Sequence, residues 1–314
     1  MAKKVTIRGT DLAIHPVGLG TNAVGGQKYY PHITDEDGRA LLRAALDHEV
    51  DFWDTAYTYG PKRSEEIIGE VLTEQKARNQ VVLASKAAHR TVGEGDVVVF
   101  DNNPDFMRQA VRESLERLQT DYIDLFYIHY PDEETPKYEA VGALQELKEK
   151  GIIRAIGVSN FSPAQLAEAN QDGYVDVVQE NYNLLNRGVE EEIFPYVNEH
   201  GLSFVPYFPF ASGILAGKYT ADTTFAEGDL RLQKPEFRGE RWKQNLEKVE
   251  HLRDIAETKG TDVSSLVLAW YLSRNEIDVV IPGAKRPEQI EKNAQAAEIE
   301  LVESEIIAID SLFR

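Results

Sequence analysis

The chain has 314 residues, of which 53 are acidic and 34 basic, so its formal net charge is −19. This charge argues against binding of nucleic acid, whose phosphates would be repelled, and an anionic ligand needs a local basic patch. The absence of cysteine excludes disulfides and metal–thiolate sites and suggests the cytoplasm, and no apolar stretch approaches the roughly 18 residues of a membrane span.

Short apolar runs recur along the chain and predict eight β-strands. They lie at residues 17–20, 52–54, 81–85, 123–128, 153–158, 175–178, 203–207 and 279–281. Helical periodicity separates them, as after Asn103, which can cap a helix with Met107 and Val111 on one face. Eight strands alternating with helices predict an α/β fold, a (β/α)8 TIM barrel forming a single domain over residues 1–314, with long loops at the C-terminal face. A doubly wound open sheet is the alternative.

One motif favours that alternative by its letters alone. Residues 18–23, GLGTNA, match the G-x-G-x-x-G/A fingerprint of dinucleotide-binding turns. The fingerprint needs a helix to follow at once, whereas the next residues, VGGQKYYPH, contain two glycines and a proline. We therefore interpret the match as accidental.

Polar residues or glycines stand at the ends of most predicted strands. In an α/β barrel the C-terminal strand ends meet at one mouth, where catalytic side chains project. The residues at this position are Asp54, Lys86, His129, Ser159, Asn160, Gln179, Tyr207, Gly283 and Lys285. Each alone can be explained as a cap, a turn or a core residue, but their shared position predicts a site.

Lys86 follows the predicted strand at residues 81–85, which is too apolar to have a solvent-exposed face. Burying an ammonium costs several kcal/mol unless a partner compensates. Asp54 ends the neighbouring strand, and an ion pair at about 4 Å is worth roughly 4 kcal/mol before desolvation is subtracted. Tyr59 lies in a short loop ending at Gly60, which can fold its phenol over the mouth. We predict that Lys86 lowers the pKa of Tyr59 and tunes it as a general acid. Tyr57 competes for this role and is interpreted as packing.

His129 follows the apolar run IDLFYI and is either a core histidine or a hydrogen-bond donor to a substrate carbonyl. The other histidines, among them His89, His200 and His251, show no metal-ligand spacing. No metal site is expected.

Five motifs carry a family resemblance. DTAYTYG, ASKAAH, YIDLFYIHYPD, IGVSNFS and IPGAKRPEQIEKN resemble, in order, the successive signatures of the aldo-keto reductases, within residues 17–293. The resemblance implies a TIM barrel that reduces a small-molecule carbonyl substrate with NADPH. It places the family's catalytic tetrad on Asp54, Tyr59, Lys86 and His129, the same residues that the strand ends indicate.

The resemblance also implies the contacts of NADPH/NADP. The nicotinamide end would contact Ser159, Asn160, Gln179 and Tyr207, the last by stacking on the ring. The loop across the pyrophosphate would contribute Gly213, Leu215 and Lys218, and the adenosine end would contact Gly283, Lys285, Arg286, Gln289 and Asn293. Two positions depart from many relatives: Asn22 replaces a Trp, which concerns substrate packing, and Phe208 replaces a Ser in the cofactor loop.

The adjacent cations Lys285 and Arg286 further predict a preference for NADPH over NADH. A 2′-phosphate adds negative charge to an acidic protein, so local cations must attract it. Arg286 offers a planar fork, Lys285 a compact charge, and the helix predicted from Pro287 a favourable N-terminus. A solvated pair without a ligand is the alternative.

Two other functions fit the same sequence. A strand-end lysine could form a Schiff base and make the protein an aldolase, or the barrel could bind and sense NADPH without turnover, as the resemblance to potassium-channel β subunits of this family allows. The candidate substrate walls are Tyr29, Tyr30, His32, Phe100, Tyr130, Phe208 and Phe210, an aromatic cleft that indicates no particular aldehyde or ketone. The sequence does not distinguish a monomer from an oligomer.

Overall fold

The computed structural model describes residues 3–26, 30–92 and 97–314. Its strands are β1 (Val5–Thr6), β2 (Ala13–Ile14), β3 (Leu19–Gly20), β4 (Phe52–Asp54), β5 (Val82–Ala87), β6 (His89–Val92), β7 (Val97–Phe100), β8 (Ile123–Ile128), β9 (Ile153–Ser159), β10 (Val177–Asn181) and β11 (Ser203–Tyr207). Its helices are α1 (Asp35–Asp47), α2 (Arg63–Gln75), α3 (Pro104–Leu118), α4 (Lys137–Glu149), α5 (Pro163–Ala169), α6 (Val189–Glu192), α7 (Phe194–His200), α8 (Gly239–Thr258), α9 (Val263–Leu272), α10 (Pro287–Gln295) and α11 (Glu303–Leu312).

One curled parallel sheet forms the centre of the fold. Its strand order is β3-β4-β5-β8-β9-β10-β11, and every neighbouring pair is parallel. Residues 276–283 close the ring: Val280 O accepts a hydrogen bond from Gly18 N at 2.8 Å, and Phe204 N donates to Glu276 O at 3.0 Å. The predicted barrel is confirmed, and this closure rules out the open sheet.

The eighth strand position of the barrel, residues 276–283, is less regular than the sequence predicts. We call each of the eight strand positions a stave, and this segment the eighth stave. Residues 279–281 are expected as a strand, but the segment that contains them forms only isolated bridges among the described residues, including Val17 with Val280 and Gly20 with Gly283. Pro282 has no N–H to donate to a ladder, which accounts for the interruption. Its carbonyl oxygen still accepts from Gly20 N at 3.1 Å, so the stave closes the barrel through a few bonds.

Two short hairpins add to the barrel. The first, β1 with β2, pairs Val5 with Ile14, and its neighbours Ile7 and Leu12 are buried inside the barrel against Phe52. Such apolar packing seals the end of the barrel where the strands begin. The second hairpin, β6 with β7, follows β5 at the opposite, C-terminal end and was not predicted.

Strand alternation divides the core into two layers. In β8, Leu125 and Tyr127 point into the barrel, while Phe126 and Ile128 pack against the surrounding helices. The helices form as expected: α3 begins at Pro104, and the side chain of Asn103 accepts from the backbone N–H of Asp105 at 3.0 Å. In the part of the chain that is described, no helix is long and apolar enough to cross a membrane.

Candidate active site

The alternation of the strands explains why polar side chains meet at one end of the barrel. Six polar side chains are concerned. Four of them follow an inward-facing apolar residue by two positions, and the other two follow one by four positions, so all six share its inward direction. These pairs are Phe52 with Asp54, Ala84 with Lys86, Val177 with Gln179, Val205 with Tyr207, Leu125 with His129 and Ala155 with Ser159. The six polar side chains therefore line the C-terminal end of the barrel interior.

Lys86 and Asp54 form a buried ion pair at the centre of this group. Lys86 Nζ lies 2.5 Å from Asp54 Oδ1, and the Lys86 side chain has no exposed surface. The same ammonium donates to the carbonyl oxygen of Thr55 at 2.8 Å, and Gln179 Nε2 donates to Asp54 Oδ2 at 3.0 Å. Burial lowers the pKa of Lys86, and the charge and hydrogen bond of Asp54 oppose that shift. Each buried charge thus has a partner.

Tyr59 reaches the ion pair from the turn after β4. Gly60 turns the chain at φ 78°, and a Cβ there would lie 2.1 Å from Gly25 O, so the turn packs directly on the segment after β3. Lys86 Nζ is 5.4 Å from the centre of the Tyr59 ring, and the His129 ring stands perpendicular to it at 6.4 Å. The predicted tetrad is therefore assembled in space.

Tyr57, the other tyrosine of the turn after β4, has neighbours different from those of Tyr59. Its ring is flanked by Lys62 Nζ at 5.7 Å and by the guanidinium of Arg117 at 5.6 Å, and it lines a cavity beside α3 that His89 also borders. The packing role of Tyr57 stays a prediction.

The pKa of Tyr59 moves in the direction opposite to the prediction. Burial, followed by the negative charge of Asp54, raises this pKa well above that of a free tyrosine. The expected lowering by Lys86 is wrong for this structure, because burial of the phenol dominates and the ammonium is paired with Asp54 at 2.5 Å. Tyr59 consequently holds its proton at neutral pH.

His129 is neutral for a similar reason. Burial, together with the positive charge of Lys86 and the neighbouring His89, holds the pKa of His129 well below its usual value. Its Nδ1 atom is buried without a hydrogen-bond partner among the described residues. The hairpin β6–β7 brings His89 within 5.3 Å of the His129 ring, a contact that sequence spacing does not reveal. No group of three potential metal ligands occurs in the described ranges.

A second polar network borders the tetrad. Asn160, in the left-handed region at φ 64°, donates through Nδ2 to Ser159 Oγ at 3.0 Å and to the carbonyl oxygen of His129 at 2.9 Å. Tyr207 Oη donates to Asn160 Oδ1 at 2.7 Å. Glu180, which the sequence did not single out, accepts from Phe161 N at 2.7 Å and braces the same turn. These contacts join the four residues predicted for the nicotinamide end, since Gln179 O accepts from Asn160 N.

A cluster of basic side chains, namely Lys218, Arg231, Lys285 and Arg286, lies at another part of the C-terminal end of the barrel. The pKa of Lys285 is lowered by burial and by the charges of Lys218 and Arg231, and that of Lys218 by burial, Arg231 and Arg286. These four cations therefore lie near one another. Arg231 was not predicted; it is held by Asp229, whose pKa it lowers to about 2 through their hydrogen bond. The local D-x-R pattern is a weak signal that the sequence interpretation passed over.

The other residues predicted for the cofactor have mixed surroundings. Gly213 has φ 98°, and a Cβ there would meet Tyr219 Oη at 2.7 Å, whereas Leu215 is fully buried in the outer core. Gln289 Oε1 accepts from the backbone N–H groups of Lys285 at 2.8 Å and Arg286 at 3.2 Å and so caps α10. Asn293 is buried on the same helix, and Gly283 is exposed at the end of the eighth stave.

A comparison with known families decides the assignment. The profile of the Aldo/keto reductase family matches residues 16–314. The chain belongs to this family. It is therefore an oxidoreductase of carbonyl compounds.

Individual aldo/keto reductases support this membership over nearly the whole chain. Aldo-keto reductase YhdN of Bacillus subtilis is 37% identical over 295 residues, covering 91% of this chain and 86% of that protein. The NADH-specific methylglyoxal reductase of Escherichia coli is 31% identical over 319 residues, covering 96% of each. The solved structure of the glycerol dehydrogenase AKR11B4 from Gluconobacter oxydans has a TM-score of 0.90 and 34% identity, covering 99% of this chain and 94% of that one.

In this aldo/keto reductase the aromatic wall is only partly as predicted. Phe100 and Tyr130 stack at 4.9 Å beside His129. Phe208 is half exposed with φ 55°, whereas Phe210 packs against the outer core. His32 is exposed, and Tyr29 lies outside the described residues.

Proposed function

We propose that the protein reduces aldehydes or ketones to alcohols with NADPH and uses Tyr59 as the general acid. The observation that carries this proposal is the buried Lys86–Asp54 ion pair beside the Tyr59 ring and His129. Burying two charges is costly, and perturbed groups of this kind cluster at functional sites.

The proton path follows from the states of these groups. Tyr59 is protonated, and the alkoxide that forms on the substrate is a stronger base than a phenolate, so it takes the phenolic proton. The Lys86 ammonium then stabilises the tyrosinate, and Asp54 keeps Lys86 charged. Neutral His129 carries one ring N–H, which can donate to the carbonyl oxygen and orient the substrate.

The residues around the tetrad fit a nicotinamide cofactor. Such a cofactor, when bound, supplies the hydride for the carbonyl carbon. Ser159, Asn160 and Gln179 would hold the carboxamide, and Tyr207 offers a ring face for stacking. The orphaned Nδ1 of His129 is consistent with a mouth that awaits polar ligands.

The basic cluster of Lys218, Arg231, Lys285 and Arg286 supports NADPH rather than NADH. The relatives include an NADH-specific reductase from Escherichia coli and an aldo-keto reductase of Schizosaccharomyces pombe named for NADP(+), so both choices occur in the family. Four neighbouring cations, of which Arg231 is paired with Asp229, leave local positive charge in a chain of net charge −19 and so favour the cofactor with the additional phosphate.

The alternatives are less well supported. An aldolase needs a free neutral amine, whereas the Lys86 ammonium donates to Asp54 and Thr55 and has no exposed surface. A sensor without turnover would need no proton donor at the mouth. A closer likeness to the inositol-operon aldo-keto reductase IolS remains a hypothesis resting on residues 18–26 and 99–106, since the relatives above support the family and not that member.

The test is turnover of a panel of aldehydes and ketones, followed by the absorbance of NADPH. Tyr59→Phe should lower turnover by about 100-fold or more while NADPH binding is kept, because only the transferable proton is lost. Tyr57→Phe is the matched control and should keep parental turnover. Near-parental activity of Tyr59→Phe would contradict the assignment, and NADPH binding by a parent protein that reduces nothing would favour the sensor.

A further inference from the structure

The ring of His129 is surrounded by other aromatic rings. His89 lies 5.3 Å from it and Tyr130 lies 4.9 Å from it, both measured between ring centres. Phe100 stacks on Tyr130 at 4.9 Å with an interplanar angle of 5° and meets the edge of His89 at 5.0 Å. The Nδ1 atom of His129 is buried without a hydrogen-bond partner among the described residues. Since no hydrogen bond at Nδ1 orients the imidazole, its orientation depends on the packing of these three rings.

The three rings come from two segments that follow different strands. His89 and Phe100 face each other as a pair of the β6–β7 hairpin, which follows β5. Asp101 N donates to Ala88 O at 2.8 Å and closes the base of this hairpin. Tyr130, by contrast, lies in the segment after β8. The packing around the imidazole therefore persists only while the hairpin and this segment stay fixed to each other.

Asn102 and Asp132 join the two segments, and we call the pair the Asn102–Asp132 bracket. Asn102 Oδ1 accepts from Asp132 N at 2.7 Å, and Asp132 Oδ2 accepts from Asn102 N at 2.7 Å. Asn102 Nδ2 also donates to the carbonyl oxygen of Tyr130 at 3.0 Å. Asn102 is fully buried and Asp132 is 7% exposed. Each of these bonds is costly to break, because a buried polar atom would be left without a partner.

The carboxylate of Asp132 is fixed in turn by the residues that lead into α4. Thr135 donates to it from its backbone N–H at 2.8 Å and from Oγ1 at 2.7 Å. The ammonium of Lys137, whose side chain is 5% exposed, donates to it at 3.0 Å. The bracket thus connects the end of the hairpin to the first turn of a helix.

We propose that Asn102 is a positioning residue for catalysis, which acts through the bracket to keep the rings around His129 in the arrangement that aims the imidazole at the substrate carbonyl. The inference rests on the proposed function, because it takes His129 as the donor to the carbonyl oxygen. The side chain of Asn102 acts on Tyr130 and Asp132 and not on the substrate itself.

A double-mutant cycle tests whether Asn102 acts through His129. Asn102→Ala should lower kcat/KM for an aldehyde of the panel about 10-fold, because loosened rings let the imidazole leave its orientation. In a His129→Ala background the same substitution should change kcat/KM by less than about twofold, since no imidazole is left to position. A merely structural Asn102 would lower kcat/KM by the same factor in both backgrounds.

The ionisation of His129 supplies a readout that needs no turnover. Burial is the first cause that holds the pKa of His129 well below its usual value. Loosened rings admit water, so in Asn102→Ala this pKa should rise toward that of a free histidine. NMR titration of the histidine ring nitrogens measures the change, and the loss of one signal in His129→Ala assigns it.

Asn170→Ala is the matched control. Asn170 is 6% exposed, and its Oδ1 accepts from Val175 N at 3.0 Å in the segment before β10, at the opposite end of the barrel. This control should lose unfolding free energy as well, yet keep kcat/KM within about twofold of the parent and leave the titration of His129 unchanged.

A milder variant replaces Asn102→Ala if that protein does not fold. Thr135→Val keeps the shape of the side chain and removes only the hydrogen bond from Thr135 Oγ1 to Asp132. It should lower kcat/KM about threefold, and this loss should likewise disappear in the His129→Ala background.

Two outcomes overturn the inference alone: equal losses of kcat/KM in the two backgrounds, or an unchanged titration of His129 in the folded variant. If the parent reduces no carbonyl of the panel with either NADPH or NADH, the proposed function itself fails and this inference fails with it.

Discussion

Removing either partner of the Lys86–Asp54 ion pair alone should destabilise the fold strongly. Removing both partners together should cost less unfolding free energy than the sum of the two single losses. The two side chains are 0% and 2% exposed, so Lys86→Met leaves a carboxylate without its cation in the barrel. Asp54→Asn leaves an ammonium without its anion. The double variant Lys86→Met/Asp54→Asn contains neither charge, so no charge is left buried without a partner, although the carbonyl oxygen of Thr55 loses its donor.

The expected loss of unfolding free energy follows from the distance between the two charges and from their burial. At 2.5 Å and an effective dielectric near 20, the Coulomb attraction is about 7 kcal/mol, and desolvation of the two charges offsets much of it. Each single variant should therefore lose about 3 to 5 kcal/mol of unfolding free energy, mainly because one charge stays buried without its partner. The double variant should lose at least about 2 kcal/mol less than the sum of the singles.

Urea unfolding followed by tryptophan fluorescence measures these values, since Trp53 and Trp270 are fully buried. The pair of Lys243 and Glu240, 3.7 Å apart with both side chains about seven-tenths exposed, supplies the control cycle. Its coupling, from Lys243→Met and Glu240→Gln, should stay below about 1 kcal/mol. Additive losses at the buried pair, as small in coupling as at the surface pair, would refute the reasoning.

Two further predictions concern the Tyr59 turn and the cofactor. Gly60→Ala should lower the melting temperature and turnover, because a Cβ at φ 78° would lie 2.1 Å from Gly25 O. The control is Gly142→Ala, inside α4, where an added Cβ meets no described atom within 4 Å. This control should stabilise the protein by about 0.5 to 1 kcal/mol. Equal effects of the two substitutions would contradict the steric account. Arg286→Ala should weaken NADPH binding much more than NADH binding in fluorescence titrations, and added salt should narrow the difference between the cofactors in the parent. Equal losses for both cofactors would remove Arg286 from the 2′-phosphate site.

Much of the barrel and its mouth follows from local pattern. Apolar runs of strand length predict the staves, and the alternation of two predicts that Lys86 points inward beside Asp54. The direction of the pKa shift of Tyr59 does not follow, because it is set first by burial of the phenol and then by the negative charge of Asp54, and both depend on the folded arrangement of the turn over the barrel. The contact of His89 with His129 was equally hidden, since it depends on the register of β5 beside β8, which pairs Ala87 with Ile128 just before the two histidines. Arg231 lies in a 3₁₀-helix of four residues, Leu230–Gln233, which is too short for a sequence period to reveal it.

The irregular eighth stave has a consequence for how the chain is made. The backbone N–H groups of Gly18 and Gly20, near the N-terminus, donate to the carbonyl oxygens of Val280 and Pro282, near the C-terminus. During synthesis the growing sheet therefore keeps an open edge at the first stave until almost the whole chain has left the ribosome. Pairing over so long a separation is slow. We therefore expect nascent or C-terminally shortened chains to self-associate through β3, a hazard that ends when the last stave closes the ring.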